Sequence, residues 1–283
     1  MTHYDVRDKV AVITGAGQGI GLAAAKILDA RGARIALLDV DGTKADKAAT
    51  GLRDAIGLAV DVRDRAGIAD AIAEVTNHFG RIDVVVANAG VVPEPSTLRT
   101  MDGDEFDRVI GINLTGAFNT IRPALEQVIA NSGHVTVIAS VAAFAPGAGG
   151  SPYMISKAAV EQMGRALRME LGPTDASAGV VYFGVVDTDM THRAIDDDEI
   201  GRDLGAMLPW PLNRRISAED AGLVVADSIC ARAGRAMAPA GWNVYSLLRG
   251  VLTAATDPLL VRDHRVHDII RRIEARRSGS RYP

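Results

Sequence analysis

Apolar positions along the chain follow two alternating patterns. Short continuous runs rich in Val, Ile and Ala, bounded by Gly, Asp or Asn, occupy Val10–Thr14, Arg34–Asp39, Leu58–Val60, Val84–Ala87, His134–Ser140 and Gly179–Phe183. Unbroken runs of this length predict strands buried on both faces. Between them Gly19–Arg31, Thr43–Ala55, Arg65–Phe79, Asp104–Ala130 and Tyr153–Leu171 carry apolar residues at helical spacing. A further helix over Ala218–Ala233 and a short strand over Arg235–Pro239 close the series. Strands joined by helical crossovers predict an α/β fold with a parallel sheet covered on both faces, and such sheets bind ligands at the carboxyl ends of their strands. The alternation is unbroken to about residue 240, so residues 1–240 are expected to form one domain and 241–283 an extension. In that extension Val266, Ile269, Ile270 and Ile273 share one helical face, with arginines on the others. Three fates compete for this basic amphipathic helix: packing on its own or a partner subunit, contact with a membrane surface, or a disordered end. Packing within an oligomer is the favoured expectation.

Composition narrows the classes. With 48% hydrophobic and 23% charged residues over 283 positions, wholesale disorder is excluded and a sizeable core is available. The apolar run nearest to a bilayer span, Trp242–Val261, is interrupted by Arg249, Asp257 and Pro258, so no stable membrane insertion is expected. One cysteine, Cys230, builds neither an intrachain disulfide nor a multi-thiolate metal site, and MTHYDVRDKV does not resemble a signal peptide. A cytoplasmic protein is the expectation. The net charge of −4 argues against a nucleic-acid partner. That charge is unevenly spread, because Arg262–Pro283 sets seven arginines against three carboxylates and is +4, leaving −8 for the rest. No histidine has companions at metal-ligand spacing, His264 and His267 included, so no metal is expected.

The first predicted strand runs into Thr14-Gly15-Ala16-Gly17-Gln18-Gly19-Ile20-Gly21, and a helix follows. Glycines let backbone turn sharply and approach a pyrophosphate, whose charge is favoured by free N–H groups at a helix start. Asp39 closes the second strand, where a carboxylate accepts hydrogen bonds from both hydroxyls of an adenosine ribose and repels a 2′-phosphate. Asp41 adds to the negative field, and no Lys or Arg stands in the glycine loop or at positions 40–42. NAD rather than NADP is therefore the expected cofactor. After the third strand, Asp61-Val62 either accepts from an adenine amino group or caps the next helix. After the fourth, Asn88-Ala89-Gly90 fits a small loop against the cofactor, or simply an Asn and a Gly satisfying backbone groups at a turn.

Tyr153 and Lys157 stand four residues apart at the start of a predicted helix and so share a face. A free tyrosine, with pKa about 10, is a poor base at neutral pH, and a nearby ammonium together with a nicotinamide cation would favour the phenolate. Ser140 ends the fifth strand thirteen residues before Tyr153. Its hydroxyl could steady a substrate oxygen beside the phenol, although a turn cap is the plainer reading of this residue alone.

Together Thr14–Gly21, Asp39, Asn88-Ala89-Gly90, Asn113, Ser140 and Tyr153-Met154-Ile155-Ser156-Lys157 resemble the short-chain dehydrogenase/reductase family, in register from about Asp8 to about Thr188. The resemblance implies a Rossmann-type doubly wound parallel sheet of about seven strands and a homotetramer or homodimer. It implies hydride transfer between a nicotinamide and an alcohol/ketone pair. It assigns Tyr153 as acid/base, Ser140 as the group orienting the substrate oxygen, and Lys157 as the residue that tunes Tyr153 and grips the ribose. Asn113 would hold a water linking Lys157 to solvent, a role its own sequence context does not suggest. Gly184, Val186 and Thr188 would meet the nicotinamide carboxamide. The family's usual Pro-Gly is Phe183-Gly184 here, read as one tolerated substitution in preference to a reshaped pocket. Residues Asp189–Arg215 would form a substrate lid, with Met190, Ile195, Leu204, Met207, Leu208, Trp210 and Leu212 supplying apolar surface. Ala142, Ala143, Phe144 and Pro152 would line the opposite wall. The expected activity is NAD-dependent interconversion of a hydrophobic secondary alcohol and its ketone, with oxidation the favoured direction. The competing class, a non-catalytic NAD-binding regulator, has no need for Asn113, Ser140, Tyr153 and Lys157 together.

Overall fold

The computed structural model describes residues 3–207 and 213–278. Seven strands form one parallel sheet: β1 (Val10–Thr14), β2 (Arg34–Asp39), β3 (Ala55–Ala59), β4 (Val84–Ala87), β5 (His134–Ser140), β6 (Ser177–Phe183) and β9 (Arg235–Ala238). Their order is β3-β2-β1-β4-β5-β6-β9, so the winding reverses between β1 and β4 and opens a crevice at their carboxyl ends. The helices α1 (Gly19–Ala30) and α9 (Ala218–Cys230) cover one face. On the other lie α3 (Arg65–Phe79), α5 (Gly116–Ala130) and α6 (Ser151–Glu170). The short α2 (Gly42–Thr50) packs on β2 and β3.

Small residues let these layers approach. A Cβ on Gly222 of α9 would stand 2.8 Å from the Ala23 methyl of α1, and one on Gly164 of α6 would stand 2.6 Å from Val180 of β6. β1, β4 and β5 are buried throughout, as their apolar runs require, whereas the edge strands β3 and β9 are only partly buried.

Two boundaries differ from the sequence expectation. The second helix ends at Thr50 rather than Ala55, and β3 begins at Ala55 rather than Leu58. Pairing with β2 takes over from Asp54, whose carbonyl accepts from Ile35 N, and Gly57 lets the strand pass against Ala45, which a Cβ would obstruct. The expected single helix over Asp104–Ala130 is two, α4 (Gly103–Ile110) and α5, joined by a π-helical turn at Gly111–Thr115. Beyond β6, a two-stranded parallel pair, β7 (Val185–Asp187) with β8 (Arg215–Ser217), brackets the helical turn α7 (Asp189–Thr191) and the helix α8 (Glu199–Ala206). The expected lid residues Leu208, Trp210 and Leu212 lie outside the described residues.

The extension forms two helices, α10 (Trp242–Arg262) and α11 (His264–Ser278). The first was not anticipated as a helix. It buries Trp242 and pairs Arg249 with Glu161 of α6 at 2.7 Å, while Val244, Leu247, Leu248 and Val251 stay exposed. The second packs its apolar stripe on its own chain, with Ile269 and Ile273 buried against Ile200. No single helix among the described residues is long and apolar enough to cross a membrane.

At the start of β5, His134 is fully buried, with Nδ1 2.8 Å from Ser177 Oγ and no partner for Nε2. Burial, then Arg232 and Arg168, pushes its pKa down from 6.5 to about 3. The unfolded chain therefore binds one more proton between those values. The resulting stability is complete above pH 6.5 and falls with acidification at up to about 1.4 kcal/mol per pH unit. Urea unfolding of His134→Leu at pH 8 and pH 5 should show a shallower pH dependence than wild type; equal slopes would assign the acid sensitivity to other groups.

Candidate active site

The glycine loop sits at the crevice between β1 and β4. Gly15 adopts φ +62°, in the left-handed region, and a Cβ there would lie 2.9 Å from Ala89 Cα. Asn88 ties the two strand ends together: its Nδ2 donates to the carbonyls of Thr14 at 2.8 Å and Gly15 at 3.1 Å. The buried Thr14 hydroxyl accepts from the N–H groups of Asn88 and Ala89, both at 3.2 Å. The turn reading of Asn88 thus holds, and Thr14 joins it. At the start of α1, Gln18 occupies the cap position without a side-chain cap bond, which leaves the first N–H groups of Gly19, Ile20 and Gly21 facing the loop.

At the end of β2, Asp39 accepts from Gly17 N at 2.9 Å and from Asp41 N at 3.0 Å. The two oxygens are therefore fixed beside the loop, each with acceptor capacity left. One residue here was missed. Lys44, two positions beyond the Lys- and Arg-free stretch 40–42, reaches back to Gln18 Oε1 at 2.9 Å. Its Cβ would lie 2.8 Å from a Cβ on Gly17. The only signal for it in sequence is its place one turn into α2, which points it back at the loop.

After β3, Asp61 does not cap α3; Asp64 does, accepting from Ala66 N at 3.1 Å. Asp61 is instead clasped by Arg63, with its carboxyl held below the ordinary range by that guanidinium. The Val62 side chain is core, packed where Gly116 of α5 leaves room, and its carbonyl accepts from Asn119 Nδ2 at 2.9 Å. Only the backbone N–H of Val62 remains for a ligand.

Four side chains converge at the carboxyl end of β5. Lys157 Nζ donates to Ile138 O at 2.9 Å and lies 5.7 Å from the centre of the Tyr153 ring. Burial pushes its pKa down to about 8. The same burial pushes the Tyr153 phenol above its ordinary 10, and the neighbouring Ser140 hydroxyl pulls it partly back. Within the protein alone desolvation is the largest influence on this phenol, whereas the expectation of phenolate rests on the lysine together with a bound nicotinamide cation. Ser140 also fulfils its capping reading, accepting from Ala142 N at 3.2 Å and donating to Phe183 O at 3.2 Å. Asn113, buried in the π-turn, accepts from Val91 N at 2.8 Å and donates to Val91 O at 2.9 Å and Ser156 Oγ at 3.0 Å. Gly90 lies between Asn113 and Lys157, since a Cβ there would be 3.4 Å from Asn113 Oδ1 and 3.5 Å from Lys157 Nζ. Ser156, named above only as part of the Tyr153–Lys157 motif, also belongs to this network, its hydroxyl donating back to Tyr153 O at 2.7 Å.

The loop after β6 completes the cleft. Phe183 is 3% exposed and buried in the core on the α1/α9 face, so it does not reshape a pocket. Gly184 is close against Trp242, whose Nε1 would be 2.7 Å from a Cβ. The Val186 carbonyl is taken by Thr191 Oγ1 at 2.5 Å. Thr188 lies against the glycine loop, 3.6 Å from a Cβ on Gly19, and Met190 follows it, partly exposed.

This crevice, glycine loop and Ser–Tyr–Lys cluster define a dinucleotide-binding α/β oxidoreductase. The chain belongs to the short-chain dehydrogenase family, whose model matches residues 9–199. It is 34% identical over 195 residues to the 2,3-dihydro-2,3-dihydroxybenzoate dehydrogenase of Bacillus subtilis (strain 168), covering 67% of this chain and 74% of that protein. It is 33% identical to the 2-(R)-hydroxypropyl-CoM dehydrogenase of Xanthobacter autotrophicus over 71% of this chain and 84% of that one. It is 30% identical to the 3-oxoacyl-[acyl-carrier-protein] reductase of Salmonella typhimurium over 77% and 88%. The crystal structure of gox2181 superposes with a TM-score of 0.77 at 26% identity, covering 84% of this chain and 96% of that one. That of a short chain dehydrogenase/reductase from Burkholderia phymatum in complex with NAD superposes at 0.75 and 22% identity, covering 92% and 97%. The protein is thus an oxidoreductase acting on an alcohol/ketone pair with a nicotinamide dinucleotide.

Proposed function

We propose that the protein uses NAD to interconvert a secondary alcohol and its ketone, with Tyr153 as the acid/base. The convergence of Ser140, Tyr153, Lys157 and Asn113 at one strand end carries this reading. The chain fits the cofactor through a loop that turns at Gly15, φ +62°, and leaves the first N–H groups of α1 without a side-chain cap. The N–H groups of Gly19, Ile20 and Gly21 would face the pyrophosphate, and Asp39 the adenosine ribose. Asp61 and the Val62 N–H would meet the adenine, Asn88-Ala89-Gly90 the inner ribose, and Gly184, Val186 N–H and Thr188 the carboxamide. When bound, nicotinamide supplies the hydride acceptor or donor at its C4. Ser140 orients the substrate oxygen, and Tyr153 takes its proton as the alcohol is oxidised or returns it as the ketone is reduced. Lys157, held by Ile138 O, fixes the ribose and biases the phenol toward phenolate when the cofactor's cation is beside it. Asn113 keeps the 88–91 loop and α6 in register, and its resemblance-based water role is compatible with its one remaining acceptor site.

Ala142 and Met190 would line the substrate, and the B. subtilis and X. autotrophicus relatives, both named as dehydrogenases, support the oxidative direction. A spectrophotometric screen for NADH formation over secondary alcohols, from small diols to sterols and terpenoids, tests the assignment. Silence across the panel in both directions would instead favour the non-catalytic reading.

The exposed Val244, Leu247, Leu248 and Val251 stripe on α10 supports assembly into a dimer or tetramer. Sedimentation equilibrium should return a multiple of 29.8 kDa; a monomer would set this aside.

A further inference from the structure

Within the basic tail, α11 packs against α8 and the loops after β4 and β5. Ile273 of α11 is fully buried and Ile269 is 4% exposed, against Ile200 of α8, with Leu204 and Met207 packed alongside. The same Ile273 reaches the loop after β5, where its Cδ1 would be 2.8 Å from a Cβ on Gly149. Charge follows the apolar contact. Arg272 pairs with Asp203 of α8 at 2.6 Å, and Arg276 with Asp198, the cap of α8, at 2.5 Å. On a third side Glu274 accepts from Thr97 Oγ1 at 3.0 Å and pairs with Arg99, both in the loop after β4. That loop is itself tied to the loop after β5, because Ser96 N donates to Gly149 O at 3.0 Å. Gly150 follows, and the helix that carries Tyr153 begins one residue later.

One helix thus grips three separate segments at the carboxyl ends of the strands. From this we infer that α11 is a positioning element for the substrate: it fixes α8 and the loops after β4 and β5 as one wall of the substrate mouth. The inference rests on the oxidoreductase reading above for the identity of the ligand, not for the contacts. Ile273 supplies most of the hold, since the partly exposed ion pairs are each worth about 0–1 kcal/mol and weaken with salt. The acidic body and the cationic tail are complementary at this contact, where Asp198 and Asp203 meet Arg276 and Arg272.

Hydrogen exchange of the full-length protein, read over residues 199–206, tests the grip without any substrate. Ile273→Ala and Arg272→Asp should both speed exchange there, and Asp203→Arg combined with Arg272→Asp should return it toward wild type. Steady-state kinetics on whichever alcohol the screen identifies tests the consequence. Ile273→Ala should raise the alcohol KM about tenfold or more, as loss of a buried contact allows, with kcat and the NAD KM unchanged. Arg272→Asp should raise it up to about fivefold, as one ion pair allows, and the charge swap should reverse that rise. Unchanged exchange in Ile273→Ala would overturn the grip. Faster exchange with an unchanged alcohol KM would overturn the substrate role. A wild type inert toward every alcohol would sink the enzymatic reading together with this role, and is told apart because the unaltered protein fails.

Discussion

Replacing Tyr153 with Phe should remove turnover while leaving dinucleotide binding intact. The substitution deletes one oxygen and keeps the ring, so Lys157, held by Ile138 O at 2.9 Å, has no reason to move. On the proposed mechanism the loss is that of the group exchanging a proton with the substrate oxygen, an effect on the order of 10²- to 10⁴-fold in rate. Fluorescence titration with NADH, run beside the turnover assay, separates the two. A variant that keeps wild-type activity would show that another group moves the proton. The pH profile carries a further expectation with a definite sign. Alcohol oxidation consumes the phenolate, so its rate should climb with pH; ketone reduction consumes the protonated phenol, so its rate should fall. Burial raises the phenol in the protein alone, which places the oxidative rise on the alkaline side unless the cofactor's cation offsets it.

Changing Asp39 to Ala should turn the cofactor preference, and Lys44 makes the effect larger than removal of one carboxylate would suggest. In the proposed binding mode the carboxylate, fixed by Gly17 N at 2.9 Å, faces the place a 2′-phosphate would occupy. Without it, the ammonium of Lys44, 2.9 Å from Gln18 Oε1 and 3.7 Å from the Asp41 carboxylate, has one carboxylate fewer beside the loop to offset it. The expected outcome is a fall in kcat/KM with NAD and a rise with NADP, a combined change on the order of 10²-fold, since a charge-assisted hydrogen bond contributes about 1.5–3 kcal/mol. Restoring NAD preference by adding Lys44→Ala would confirm the lysine's part. A wild type already faster with NADP would show that the ribose reading of Asp39 is wrong.

The site was legible wherever chemistry is carried by one residue type at a strand end. Gly15, Asp39 and Ser140 stand at the ends of short apolar runs whose limits sequence locates well, and Tyr153 and Lys157 share one face at the start of the helix after β5, so the parallel sheet brings them to one edge. Lys44 and Ser156 were not legible, because their contribution depends on direction rather than position. Nothing in the string says that a lysine in the first turn of α2 folds back over Gly17. Asp61 and Asp64 illustrate the same limit, since both are plausible caps three residues apart and only the turn between them decides. The expected second helix is too long because Gly51-Leu52-Arg53-Asp54 contains one weak breaker, whereas the carbonyl that ends the helix's claim on the chain, that of Asp54, is bound by Ile35, nineteen residues earlier. The tail was legible as an amphipathic helix, but its partner was not: an apolar stripe reports that a face will be covered, not by what.

The π-helical turn at Gly111–Thr115 acts on the helix as a phase shifter. Each residue advances a regular helix by about 100°, and the turn accommodates one residue more than the α-helical ladder does, with Gly116 N bonding back to Gly111 O. The stripes on either side are therefore offset. α4 turns its face to α6, while α5 turns its own to α3 and β4. Asn113 falls in the widened turn and reaches Val91 and Ser156 from there. Shortening the segment by one residue would make a more regular helix and a misdirected asparagine. Regularity at this point and a working alignment of the 88–91 loop with α6 are alternatives, and the chain is built with the second.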